Sequence, residues 1–146
     1  MSAALPKNPP DFVWCCFSLL ASRRAIEALR RSGLRVPFGP GVVQIGKRQP
    51  CEDFVALQLD LVRLYSDTTL EEFTMSFCKK CGNALLKDVR AEPKGPRQFV
   101  RKRIPRRQGL VRAYESVVTL ATEQFIEAVR VHKLTGLAFR EFGVYV

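Results

Sequence analysis

Two cysteines with two residues between them, Cys78-Lys79-Lys80-Cys81-Gly82, are the residues of this 146-residue chain whose spacing most directly suggests chemistry. That spacing lets both sulfurs reach one tetrahedral ion, and the glycine permits a tight turn that aims backbone N–H groups at the thiols. The flanking lysines offset thiolate charge and favour the ionised form. One such pair supplies half of a four-coordinate site, so the cofactor expectation is none or one zinc ion. Cys51 and His132 are the best-placed further ligand types, Cys15 or Cys16 come next, and a dimer sharing the ion is the other route. A hairpin with two thiols and no metal is the plainer reading. A thioredoxin-type redox pair fits less well: it stands at the start of a helix, whereas Asn83–Leu86 is short and runs into Lys87 and Asp88.

Other catalytic chemistry is thinly supplied. His132 is the single histidine, and at a helix C-terminus its expected work is capping carbonyls. Glu71 and Glu72 fall in a connection, while Glu123 and Glu127 stand one turn apart on a solvated face. There is no P-loop, no GxGxxG and no HExxH. A non-enzymatic protein is expected.

The charge is unevenly placed. The chain carries +10 in total, and the stretch 87–112 holds ten cations against Asp88 and Glu92, which is +8 of that sum. Arg97, Arg101, Lys102, Arg103, Arg106 and Arg107 are the candidate partner-binding residues. They suit either an acidic protein surface, where opposite charge speeds encounter, or nucleic-acid phosphates. Prolines at 93, 96 and 105 argue against a continuous recognition helix, and a solvated loop is the bland alternative.

The elements that must position these groups are legible in part. Residues 1–11 read as a flexible arm and 12–146 as one α+β domain with a basic loop at 87–112. Phe12–Leu20 is a strand, too short to span a bilayer, and the N-terminus does not read as a secretory signal, so a cytoplasmic protein with reduced thiols is expected. Ser22 caps a helix to Ser32, closed by Gly33. Val42–Ile45 suggests a short strand, Phe54–Tyr65 alternates as a long one, Ser66–Glu72 reads as a turn, and Phe73–Phe77 leads into the thiols. Val117–Glu141 then reads strand, helix capped by Thr122, strand. Leu20, Ala21, Ile26, Glu27, Ala28, Arg30 and Leu34 recur one hundred positions later at 120, 121, 126, 127, 128, 130 and 134. The expected fold is therefore a mixed or mainly antiparallel sheet of five to seven strands carrying two helices, in two similar strand–helix–strand units.

The segment ATEQFIEAVRVHKLTGLAFREF at 121–142 resembles the end of the double-CXXCG motif proteins of myxobacteria. LLASRRAIEALRRSGL at 19–34, the alternation at 54–64 and CKKCG at 78–82 fall in the family's order. The resemblance runs from about Asp11 to Phe142; the terminal signature is the specific part. It implies an immunity protein that binds and neutralises a cognate toxin delivered by kin cells, in the cytoplasm and without catalysis. Only Cys78, Cys81 and Gly82 match the named motif, and the chain carries one CXXCG where the family has two.

Overall fold

The computed structural model describes residues 8–15, 18–37, 44–45, 49–72, 75–81, 84–86, 97–114 and 118–146. Strands β1 (Phe12–Cys15) and β2 (Ser18–Ser22) lead into helix α1 (Arg23–Arg31), then β3 (Gln44–Ile45), β4 (Gln49–Pro50), β5 (Phe54–Ala56) and β6 (Leu61–Val62). Helix α2 (Asp67–Glu72), β7 (Met75–Phe77), β8 (Ala84–Leu86), β9 (Arg97–Phe99) and a 3-10 turn at Arg101–Arg103 come next. The chain closes with β10 (Leu110–Ala113), β11 (Thr119–Ala121), helix α3 (Glu123–Val131) and β12 (Gly143–Tyr145).

The fold is α+β, with antiparallel and parallel pairings. Among the described residues the strands form small sheets, ordered β1-β2-β5, β11-β10-β6, β12-β9, β3-β4 and β7-β8, in place of the single larger sheet expected. The chain divides into two compact units. One takes the chain up to Leu59 with Arg107–Leu110 and Ala121–Phe139; the other takes Asp60–Arg106, Val111–Leu120 and Arg140–Val146. The long alternating strand breaks where the units part: β5 pairs with β2 but β6 with β10. Leu57 is buried and Leu61 is 61% exposed, because burial passes instead to Leu64 and Tyr65.

In the first unit both expected caps form. The Ser22 side chain accepts from Ala25 N–H and the Thr122 side chain from Phe125 N–H, satisfying donors the first helical turn leaves open. Ala25, Ile26, Ala28 and Leu29 on α1, and Phe125, Ala128 and Val129 on α3, lie one turn apart and share one core with Phe12, Leu19 and Leu57. The helices also end alike. Ser32 and His132 N–H reach Ala28 and Ala128 O, both at 3.1 Å, and Leu34 and Leu134 N–H reach Leu29 and Val129 O. This Schellman-type ending needs a left-handed residue, which is Gly33 at φ 76° in one helix and Lys133 at φ 50° in the other.

The two ends grip each other. Arg24 donates to His132 O (3.0 Å), Gln124 donates to Ser32 O (3.2 Å), and Ser32 Oγ meets His132 Nε2 at 3.1 Å. Beyond the helices the exchange continues: Arg35 N–H bonds Arg107 O, and Phe12 N–H bonds Thr135 O. The strand–helix half of each unit is present, but among the described residues the strand expected after each helix is not. The first is reduced to a bridge between Arg35 and Gln108, and residues 137–142 form no ladder. Phe139 still packs edge-on against Phe125, so its alternation with Leu137 reflects packing without strand pairing.

Asp11, at the end of the expected arm, is 6% exposed. It accepts from Ser22 Oγ, Arg24 and both the N–H and hydroxyl of Thr135.

The second unit is built around Leu64, Tyr65, Phe99, Val111 and Ala113. The turn expected at 66–72 is helix α2: Ser66 Oγ accepts from Thr69 N–H, and Asp67 stands in the first turn. Buried Thr69 then takes the N–H of Gln98 at 3.0 Å, tying α2 to β9. Strand β12 lies parallel to β9, with Gly143 opposite Arg97. A Cβ at Gly143 would collide with Arg97 O and the Phe99 ring, so only glycine permits this approach. The expected strand at Val42–Ile45 lies partly outside the described residues, as do Cys16 and residues 87–96 of the basic stretch.

Candidate binding surface and thiol turn

Strand β7 pairs antiparallel with β8, Phe77 opposite Ala84, and Cys78–Cys81 follow β7 directly in the connection. Within that connection Cys78 is half-buried, while Lys79, Lys80 and Cys81 are exposed. The backbone N–H groups of Cys81 and Lys80, and then the Cys81 side chain, hydrogen-bond the Cys78 sulfur and hold its thiol below the usual range. Donors aimed at a sulfur favour the thiolate, which is the form that binds metal.

The two sulfurs thus fit half of a tetrahedral zinc set. Cys51, Cys78 and Cys81 are thiols outside any disulfide among the described residues. Among the described residues no three His, Cys, Asp or Glu side chains gather as a metal group. Of the further ligand types, Cys51 is half-buried in the first unit, and His132 has its Nε2 on Ser32 Oγ. If zinc binds, Cys78 and Cys81 are its ligands, and it would lock the turn as a structural cross-link.

The cationic residues divide by environment. Arg101, Lys102 and Arg103 stand exposed on the 3-10 turn, and Arg106 follows, exposed beyond Pro105. Ile104 anchors the turn in the second core, and Arg103 also donates to Tyr65 O at 3.0 Å. Arg97 lies over the Phe142 ring, 4.0 Å from its centroid. Arg107 belongs to the first unit, with φ 62° and its carbonyl bonded by Arg35.

The sequence reading missed the apolar partner of the cationic turn. Val144, Tyr145 and Val146 are all exposed, at 39–60%, and the Arg101 guanidinium sits 5.9 Å from the Tyr145 centroid. Arg101 N–H also bonds Val146 O, extending the strand pairing into the turn. The apolar run GVYV beside a basic cluster was the available signal, legible only once β12 is known to pair with β9. In the first unit, a narrow apolar crevice with room for no more than a water molecule is lined by Leu34, Val36, Pro37, Leu59 and Phe125, with Arg35 its single titratable side chain.

Among the described residues no helix is long and apolar enough to cross a membrane. Comparison of the chain with protein-family models, with curated proteins and with solved structures gives no match.

Proposed function

We propose that this chain is a non-catalytic immunity protein, which binds one cognate toxin delivered by kin cells and neutralises it in the cytoplasm. The resemblance of residues 121–142, with CKKCG upstream, supplies the class. The observation that carries the binding surface is the exposed Arg101–Lys102–Arg103 turn beside exposed Val144, Tyr145 and Val146. Arginine and tyrosine on a rigid support lose little freedom on docking, and they are the side chains that most often dominate interface energies. The charge calls for a toxin that is acidic at the contact.

Co-expression with the product of the adjacent gene, the position at which an immunity protein's toxin is normally encoded, tests the reading by growth rescue and pull-down. Rescue with a stoichiometric complex is expected, and failure of both rejects it. Arg101→Glu with Lys102→Glu should weaken the complex at least tenfold.

A second reading, a nucleic-acid-binding module using the same turn, is favoured by the placement of Arg101 beside an exposed aromatic, Tyr145. It requires binding at low salt that falls steeply as salt rises. Absence of binding at low salt removes it.

A further inference from the structure

We infer that the Cys78–Cys81 turn is half of a zinc site completed by the same turn of a second copy of this chain, placing four thiolates on one ion.

The geometry of the turn points this way. The Cys78 and Cys81 side chains are already within hydrogen-bonding reach of each other, and backbone N–H groups point at the Cys78 sulfur. That is the second-shell arrangement a structural zinc site uses to hold thiolates. Cys81 is exposed, as are the two lysines before it, and Cys78 is half-buried, so the turn lies at the surface where another chain can approach it. Two ligands from each copy make the closed four-coordinate set that structural zinc requires.

Charge supplies a separate argument. Each chain carries +10, which opposes self-association. A zinc ion with four thiolates carries −2, and Lys79 and Lys80 of the two copies surround it with opposite charge. The ion therefore converts a repulsive approach of two basic turns into an attractive one. The contact uses the thiol turn and leaves the Arg101–Arg103 turn untouched, so the inference does not depend on the toxin-binding reading.

The test titrates zinc into the reduced 146-residue chain and reads bound zinc by elemental analysis and mass by light scattering. One zinc per two chains is expected, with the mass rising from 16.5 kDa to twice that value and returning on addition of a chelator. Cobalt substituted for zinc should show thiolate-to-metal absorption per ion proportional to four sulfurs. Cys51→Ser and His132→Gln should leave uptake and mass unchanged, while Cys81→Ser should stay at single-chain mass at every zinc concentration. One zinc per chain at single-chain mass overturns the inference, as does loss of uptake in Cys51→Ser or His132→Gln. So does a chain that takes up no zinc, or a dimer that survives the chelator. The unsubstituted protein's stoichiometry decides the matter even if a variant fails to fold.

Discussion

Replacing Asp11 with alanine should be among the costliest single changes in the first unit. The Asp11 carboxylate is buried and accepts from Ser22 Oγ at 2.9 Å, from Arg24 at 2.9 Å, and from the N–H and hydroxyl of Thr135 at 3.0 and 3.2 Å. It therefore joins the start of β1 to the cap of α1 and to the chain that leaves α3. Arg24 is 61% exposed and regains water when the carboxylate goes, so the ion pair itself is worth only about 1 kcal/mol. The Thr135 N–H and the Ser22 hydroxyl lose an anionic acceptor in a part-buried site, at roughly 1–2 kcal/mol each. These terms share one carboxylate and do not add fully, so Asp11→Ala should cost about 3 kcal/mol. Asp11→Asn keeps one acceptor oxygen and should cost roughly half of that. The single tryptophan, Trp14, lies on β1 and is exposed, so its fluorescence during urea unfolding reports on this unit. A double-mutant cycle with Arg24→Ala isolates the pair. If Asp11→Ala lowers stability by less than about 0.5 kcal/mol, the carboxylate is not the junction described here.

Lys133→Gly should stabilise the protein by about 1 kcal/mol, because a left-handed φ of 50° strains any residue with a Cβ; a raised urea midpoint checks it. Ser22→Ala and Thr122→Ala should each cost about 1 kcal/mol in the same assay, by removing matched helix caps. Gly143→Ala should destabilise the β12–β9 pairing by about 1–3 kcal/mol and weaken partner binding through Tyr145, read by hydrogen exchange of β9 and by pull-down. The Cys78 thiolate is held by N–H donors that exist only in the folded turn, so its folded pKa lies below its unfolded value. The contribution to folding is thus present above the unfolded pKa and is lost as pH falls through the folded one. Alkylation of Cys78 followed by peptide mass mapping should stay fast to lower pH than in the denatured chain, and Cys81→Ala, which removes the side-chain donor and keeps the backbone ones, should shift that profile upward only in part.

What could be read from the sequence was local. Ser22 and Thr122, the apolar faces behind them and the echo at one hundred residues gave both helices, because caps and periodicity act within a few residues. The thiol hairpin was legible for the same reason. Helix α2 was missed because six residues hold too little periodicity to outweigh the turn-forming Asp67, Thr68 and Thr69; the Ser66 cap was the overlooked signal. The strands expected after α1 and α3 failed because alternation records which side chains pack, and says nothing about whether a ladder partner exists. The cationic residues could be picked out by residue type alone. Their division between a ring-stacked Arg97, an exposed turn and a main-chain-engaged Arg107 depends on pairings made far along the chain.

The way Asp11 reaches Thr135 has a consequence for synthesis. Their contact spans 124 residues, and Arg24 waits for His132 across 108. At roughly 5–20 residues per second the ribosome needs about 6–25 s to deliver the second partner after the first has emerged. Through that interval the greasy side of α1 has no α3 to cover it. Chains halted before residue 121 should therefore be targets for chaperones and proteases, while those reaching residue 139 escape.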